Sequence, residues 1–69
     1  MPIISIRLAK GRSIDQKRRL VAEVTRAVTD SLDLPPDLVS IQIEEFDREN
    51  WATGGELHSD KFGSGHGQP

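Results

Sequence analysis

Residues 13–34 read SIDQKRRLVAEVTRAVTDSLDL, and their spacing is that of a single amphipathic helix. Ser13, with Gln16 three positions on, has the form of a capping box. Behind it Leu20, Val21, Val24, Ala27, Val28 and Leu32 recur at helical intervals and make one apolar stripe. Lys17, Arg18, Arg19, Glu23, Arg26 and Asp30 fall mostly off that stripe, as a solvated face would. The helix must end near Leu34, because Pro35 pushes its predecessor out of the α region.

What flanks this helix decides the fold. Upstream, Ile4, Ile6 and Leu8 alternate with Ser5 and Arg7, the period of a strand with one buried face. Downstream, residues 38–44 alternate again, with Val39, Ile41 and Ile43 on one side. Strand, long helix, strand is a β-α-β unit, so the fold class is α/β (α+β) with two parallel strands and a right-handed crossover. Gly11 lets the first loop turn. Residues 47–50 read as a polar loop, and residues 51–57, with Gly54 and Gly55 in their midst, read as a C-terminal β-hairpin. The domain is expected over residues 1–57, and residues 58–69, rich in Gly, Ser and charge, read as a flexible tail.

Composition narrows the function. A chain of 69 residues buries only about 60% of its unfolded surface, so its core is thin and needs outside support. The absence of cysteine removes disulfides and thiolate metal sites together, and His58 and His66 are too few for a structural zinc. Self-association is the remaining support. One helix covers one face of a two-stranded sheet, so the other face needs a second copy of the chain, and the hairpin reads as an arm that pairs with a neighbour. A formal charge of −2 argues against a nucleic-acid partner. No apolar run approaches the roughly 20 residues of a membrane span, and the N-terminus lacks the apolar region of a secretion signal. A cytoplasmic protein is therefore expected.

No Ser/His/Asp set, His/Cys cluster or phosphate-cradling glycine loop stands out. Asp15, Glu23, Asp30 and Asp33 read as ordinary surface acids. Pro2 is different, because a residue without an N–H keeps clear of strand interiors and yet this one stands directly against a strand, at the end of the chain. Once Met1 is removed, its nitrogen becomes a secondary amine on a rigid ring. A free α-amine titrates at roughly 7.7–8.0, and burial or a nearby cation would lower that value. A neutral amine at pH 7 can act as a general base. Arg12, just before the helix N-cap, is the candidate cation. A positive charge there opposes the helix dipole, and with the helix N-terminus it would hold a carboxylate or a developing enolate. Trp51, the sole tryptophan, suits either an interface anchor or an apolar wall against a planar substrate.

Several stretches together resemble the 4-oxalocrotonate tautomerase family. These are Pro2 after the initiator Met, Gly11, Arg12 and Ser13 followed by Asp15, Gln16 and Lys17, then Ser31, Leu32 and Asp33 before the prolines, and Gly54, Gly55, Glu56 and Leu57. The resemblance runs from Pro2 to about Leu57. It implies a β-α-β tautomerase fold, assembly as a hexamer built as a trimer of dimers, and no cofactor or metal. The chemistry it implies is keto–enol tautomerisation of a 2-hydroxydienoate or 2-oxo acid. Pro2 would be the general base and acid, Arg12 the carboxylate-binding arginine, and Trp51 the aromatic of the apolar wall. Two positions depart from the family. Ser40 stands where well-known members place a second arginine, donated from a neighbouring subunit to polarise the 2-oxo group and bind a carboxylate, and loss of one such donor costs on the order of 100- to 1000-fold in rate. Ala9 replaces a bulkier wall residue and widens the pocket. A mono-acid or phenylenolpyruvate-like substrate therefore fits better than 4-oxalocrotonate itself. Two other readings share the fold: a hydratase or dehalogenase relative, and an oligomeric scaffold that has lost its chemistry.

Overall fold

A computed structural model describes residues 1–62. Strand β1 spans Ile3–Ala9, helix α1 Ile14–Leu32 and strand β2 Ser40–Phe46, followed by the short strands β3, Ala52–Thr53, and β4, Glu56–Leu57. Single 3-10 turns occupy Pro36–Leu38 and Arg48–Asn50, and a short helix α2 covers His58–Phe62. β1 pairs with β2, and β3 with β4. The chain divides into two compact units. One holds Met1–Ile6 and Ser13–Ile43; the other holds Arg7–Arg12 and the residues from Glu44 onward.

In the first unit the Ser40 N–H donates to the Pro2 carbonyl at 3.1 Å. In the second the Lys10 N–H donates to the Phe46 carbonyl at 3.0 Å. In a parallel ladder each bond is slanted, so these two set residue 3 beside residue 40 and residue 9 beside residue 46. The strands are parallel, as the intervening helix requires. Ile4, Ile6 and Leu8 are half-buried while Ile3, Ser5 and Arg7 are exposed, so the expected alternation holds in β1.

The capping box forms as the sequence indicates. Ser13 Oγ accepts from the Gln16 N–H at 3.1 Å, and Gln16 Oε1 accepts from the Ser13 N–H at 2.9 Å. The stripe of α1 differs in membership from the expected one. Leu20, Val21, Val24 and Val28 are half-buried, joined by Lys17, Thr25 and Thr29, whereas Ala27 and Leu32 are exposed. Ala27 sits about 110° around the helix from the stripe centre. Leu32 lies on the stripe but in the last turn, and it stays 57% exposed. At the far end Asp33 takes a left-handed conformation (φ 62°), and the Asp33 and Leu34 N–H groups both donate to the Thr29 carbonyl.

The second strand begins later than its alternation suggests. The Leu38 N–H donates to Pro35 O and the Val39 N–H to Pro36 O, both at 3.1 Å. Those amides are engaged in the turn, so the ladder starts at Ser40 and runs on to Phe46. The hairpin forms around Gly54 and Gly55, with Thr53 opposite Glu56 and Ala52 opposite Leu57. Both glycines have positive φ (65° and 84°), which a two-residue turn of this twist demands of its central pair. The segment expected as a tail from His58 opens instead with helix α2, and residues 63–69 lie outside the described residues.

Burial is sparse. Ala9, at 2% exposure, is the only buried apolar residue among those described, and no large side chain is fully enclosed.

Candidate active site

Pro2 is half-buried immediately before β1. Its carbonyl is held by Ser40, and its ring nitrogen lies at a position where the ladder asks for no donor. Met1 beyond it is 85% exposed, so its removal would strip nothing from the interior. Pro2 and Ser40 are thus neighbours in the first unit, joined through backbone; Ser40 itself is exposed.

The other candidates lie in the second unit. Arg12 is half-buried after Gly11, whose φ of 124° turns the chain out of β1. It makes an interaction within the protein. Just after it, the capping box satisfies the N–H groups of Ser13 and Gln16 but not those of Ile14 and Asp15, which remain at the positive end of the helix dipole. Ala9 ends β1 as the most buried apolar side chain.

Trp51 follows the Arg48–Asn50 turn and is half-buried among aromatic rings. Its indole stacks on the His58 imidazole, with centroids 5.2 Å apart and planes 14° from parallel, and meets Phe46 edge-on at 6.2 Å. The backbone repeats the connection, since the His58 N–H donates to the Trp51 carbonyl at 2.7 Å. His58 Nε2 and Thr53 Oγ1 lie 2.7 Å apart, which ties the imidazole to the hairpin. A cavity of 330 Å³ opens beside this cluster, lined by Arg7, Phe46, Asn50 and Trp51.

Three residues have surroundings that the sequence did not indicate. Arg48, placed in a polar loop, is only 5% exposed. His58, placed in the tail, is the stacking partner of Trp51. Phe46 falls on the polar side of its strand, in step with Ser40, Gln42 and Glu44, and that mismatch is the one signal that could have flagged it. Among the described residues no group of three or more His, Cys, Asp or Glu side chains could hold a metal ion. No described helix is long and apolar enough to cross a membrane.

Comparison with known proteins bears on this arrangement. The model of a family described as "Tautomerase enzyme" matches residues 2–61. A probable tautomerase from Halalkalibacterium halodurans is 34% identical over 61 residues, covering 88% of this chain and all of the relative. Among solved structures, a 4-oxalocrotonate tautomerase isozyme from Methylibium petroleiphilum is 40% identical with a TM-score of 0.85, covering 87% of this chain and 94% of that one. A heterohexameric 4-oxalocrotonate tautomerase from Chloroflexus aurantiacus is 28% identical with a TM-score of 0.83, covering 87% and 97%. A structure from a study of trans-3-chloroacrylic acid dehalogenase activity is 32% identical with a TM-score of 0.74, covering 81% and 97%.

Proposed function

The chain belongs to the tautomerase enzyme family, and on that premise we propose that it is a cytoplasmic, cofactor-independent isomerase that moves a proton within a 2-hydroxydienoate or 2-oxo acid, with Pro2 as the proton carrier. The observation that carries this reading is the setting of Pro2. It is half-buried, it is fixed through its carbonyl to Ser40, and only an exposed Met1 precedes it. With Met1 gone, the nitrogen has a lone pair, a ring that cannot rotate away and a strand behind it.

The step balances without any added reactant. The Pro2 nitrogen takes the proton of the substrate's enol hydroxyl, and the O–H electrons become the π bond of the 2-oxo group. The enol double bond shifts along the conjugated chain, and the resulting prolinium gives its proton to the carbon where electron density arrives. The amine is then restored. Arg12 would hold the substrate carboxylate, a charge-assisted contact suited to a guanidinium. Trp51 would supply an apolar wall along the planar chain, with Ala9 leaving that wall wide and Ser40 offering a hydroxyl instead of a cation. Assembly into a homohexamer belongs to the same proposal, in line with the hexameric relative.

The test begins with intact mass, which must show a chain beginning at Pro2. Ketonisation of phenylenolpyruvate, followed by ultraviolet absorbance, is then measured for this protein and for Pro2→Ala. We expect the variant to lose on the order of 100-fold in kcat, the usual worth of a positioned base. Equal rates would make Pro2 structural, and a retained Met1 would remove the base altogether, since the nitrogen would be an amide. The similarity to a structure studied for dehalogenase activity favours one second reading, hydration of a haloacrylate with loss of halide. Halide release from 3-chloroacrylate would support it.

A further inference from the structure

The cavity beside Trp51 carries a guanidinium, that of Arg7, to which the proposed proton transfer gives no part. Two aromatic rings, Phe46 and Trp51, form an apolar surface, and Arg7 and Asn50 set a guanidinium and an amide at its margin. Its 330 Å³ falls within the range of small-molecule sites, at the lower end. Arg7 reaches this place because it stands on the exposed side of β1, opposite Ile6 and Leu8. Its partner is Glu44 on β2, thirty-seven positions on, the same offset that aligns the two strands.

That ion pair occupies little of the guanidinium. Arg7 Nε donates to Glu44 Oε1 at 3.2 Å, and both side chains are well exposed, 71% and 60%. An exposed pair of this kind adds little stability. The two terminal nitrogens of Arg7, which form the fork that matches a carboxylate, have no other partner among the described residues. A cation with an open fork lining one cavity with an indole, a phenyl ring and a side-chain amide is an arrangement for a planar, conjugated carboxylate. The carboxylate would meet the fork while the carbon chain lies on the ring. Simple aliphatic anions would lose the stacking, and neutral aromatics would lose the charge.

We propose that Arg7 is a specificity-determining residue: with Trp51, Phe46 and Asn50 it binds a carboxylate of a planar conjugated acid. The chemical class rests on the tautomerase reading, but the binding itself does not depend on turnover. Glu44 tunes the site, because its charge shares Arg7 with any incoming anion and repels that anion.

The test uses sorbate, a conjugated dienoate with no hydroxyl to lose a proton, and its neutral amide. Binding is read from the fluorescence of the sole tryptophan, excited at 295 nm, where neither probe absorbs strongly. Sorbate should quench Trp51 saturably, with an affinity at least about 10-fold above that of the amide, and Arg7→Gln should remove that advantage. Glu44→Gln should tighten sorbate binding about 3-fold while leaving the amide unchanged, since it removes a competing and repelling charge. Arg7 shares its β1 face with Ile3, so light scattering checks that each variant keeps the mass of the unchanged protein, and far-ultraviolet circular dichroism checks that it folds. Equal affinities of this protein and Arg7→Gln for sorbate would overturn the proposal. So would a loss of binding in Arg12→Gln with none in Arg7→Gln, which would place the carboxylate at the other arginine. A failed proton-transfer reading would instead appear as equal turnover by this protein and Pro2→Ala, with sorbate binding untouched.

Discussion

Ser40 opens β2 with its side chain in solvent and its amide committed to the Pro2 carbonyl. The hydrogen bond to the Pro2 carbonyl is made by backbone alone, so an arginine at position 40 leaves it in place. An exposed position at the strand's first residue also accepts a long side chain without displacing a core. Ser40→Arg is therefore a clean way to ask what a second cation, supplied by a neighbouring copy, would do at the proposed site. We expect it to raise kcat/KM for a dicarboxylate about 10-fold over that for a mono-acid, the worth of one added charge-assisted contact. Steady-state kinetics on matched mono- and dicarboxylate enols would measure this. An unchanged ratio would mean that the second carboxylate is not held near Ser40. Pro2 drew attention in the sequence because a residue without an N–H stands directly before an alternating strand, and the structure places it immediately before β1. The sequence offered Arg7 and Arg48 only as stand-ins for the arginine absent at Ser40, because an arginine alternating with isoleucines looks like any polar strand face until Phe46 and Trp51 are found lining a cavity with it.

At the level of elements, periodicity and capping were enough to place β1, α1 and β2, since each signal is local. The Ser13–Gln16 box, the Ile4, Ile6 and Leu8 alternation and the proline stop are all satisfied within a few residues. Contacts between loops carry no such pattern. The stack of His58 on Trp51 joins residues on either side of a hairpin, and only the turn chemistry of Gly54 and Gly55 hints that they meet. That turn is where the cluster is most exposed to change. A Cβ at Gly55 would meet nothing within 4 Å, so the demand there is conformational and not steric. Its φ of 84° is costly for other residues. Gly55→Ala should cost about 1–2 kcal/mol of hairpin stability. Trp51 emission should shift toward that of water-exposed indole as the His58 stack loosens, while the helical signal of α1 persists. Unchanged emission would show that the Trp51–His58 stack holds without the turn.

For the whole molecule the decisive fact is how little it buries. Ala9 and Arg48 are the only buried residues among those described, and α1 encloses none. Ile3, Ile14, Leu32, Leu38 and Leu57 are all left exposed, at 65%, 62%, 57%, 37% and 41%. A chain of this size has no disulfide to hold it, and association with copies of itself is the support we propose. If so, stability depends on concentration, because assembly favours only the folded state. A tenfold dilution should weaken each chain by about 1 kcal/mol. For a domain this small, that lowers Tm by roughly 4–8 °C. Light scattering should give a mass that is a multiple of 7.7 kDa, six-fold on the hexamer proposal. Ile3→Glu, a charge on the β1 face turned away from Ile4 and Ile6, should reduce that mass and lower Tm together, since one surface serves both. A mass of one chain, with Tm constant across a hundredfold range of concentration, would mean that the exposed isoleucines and leucines are tolerated by a folded monomer. The stabilising interactions would then have to be found within the single chain.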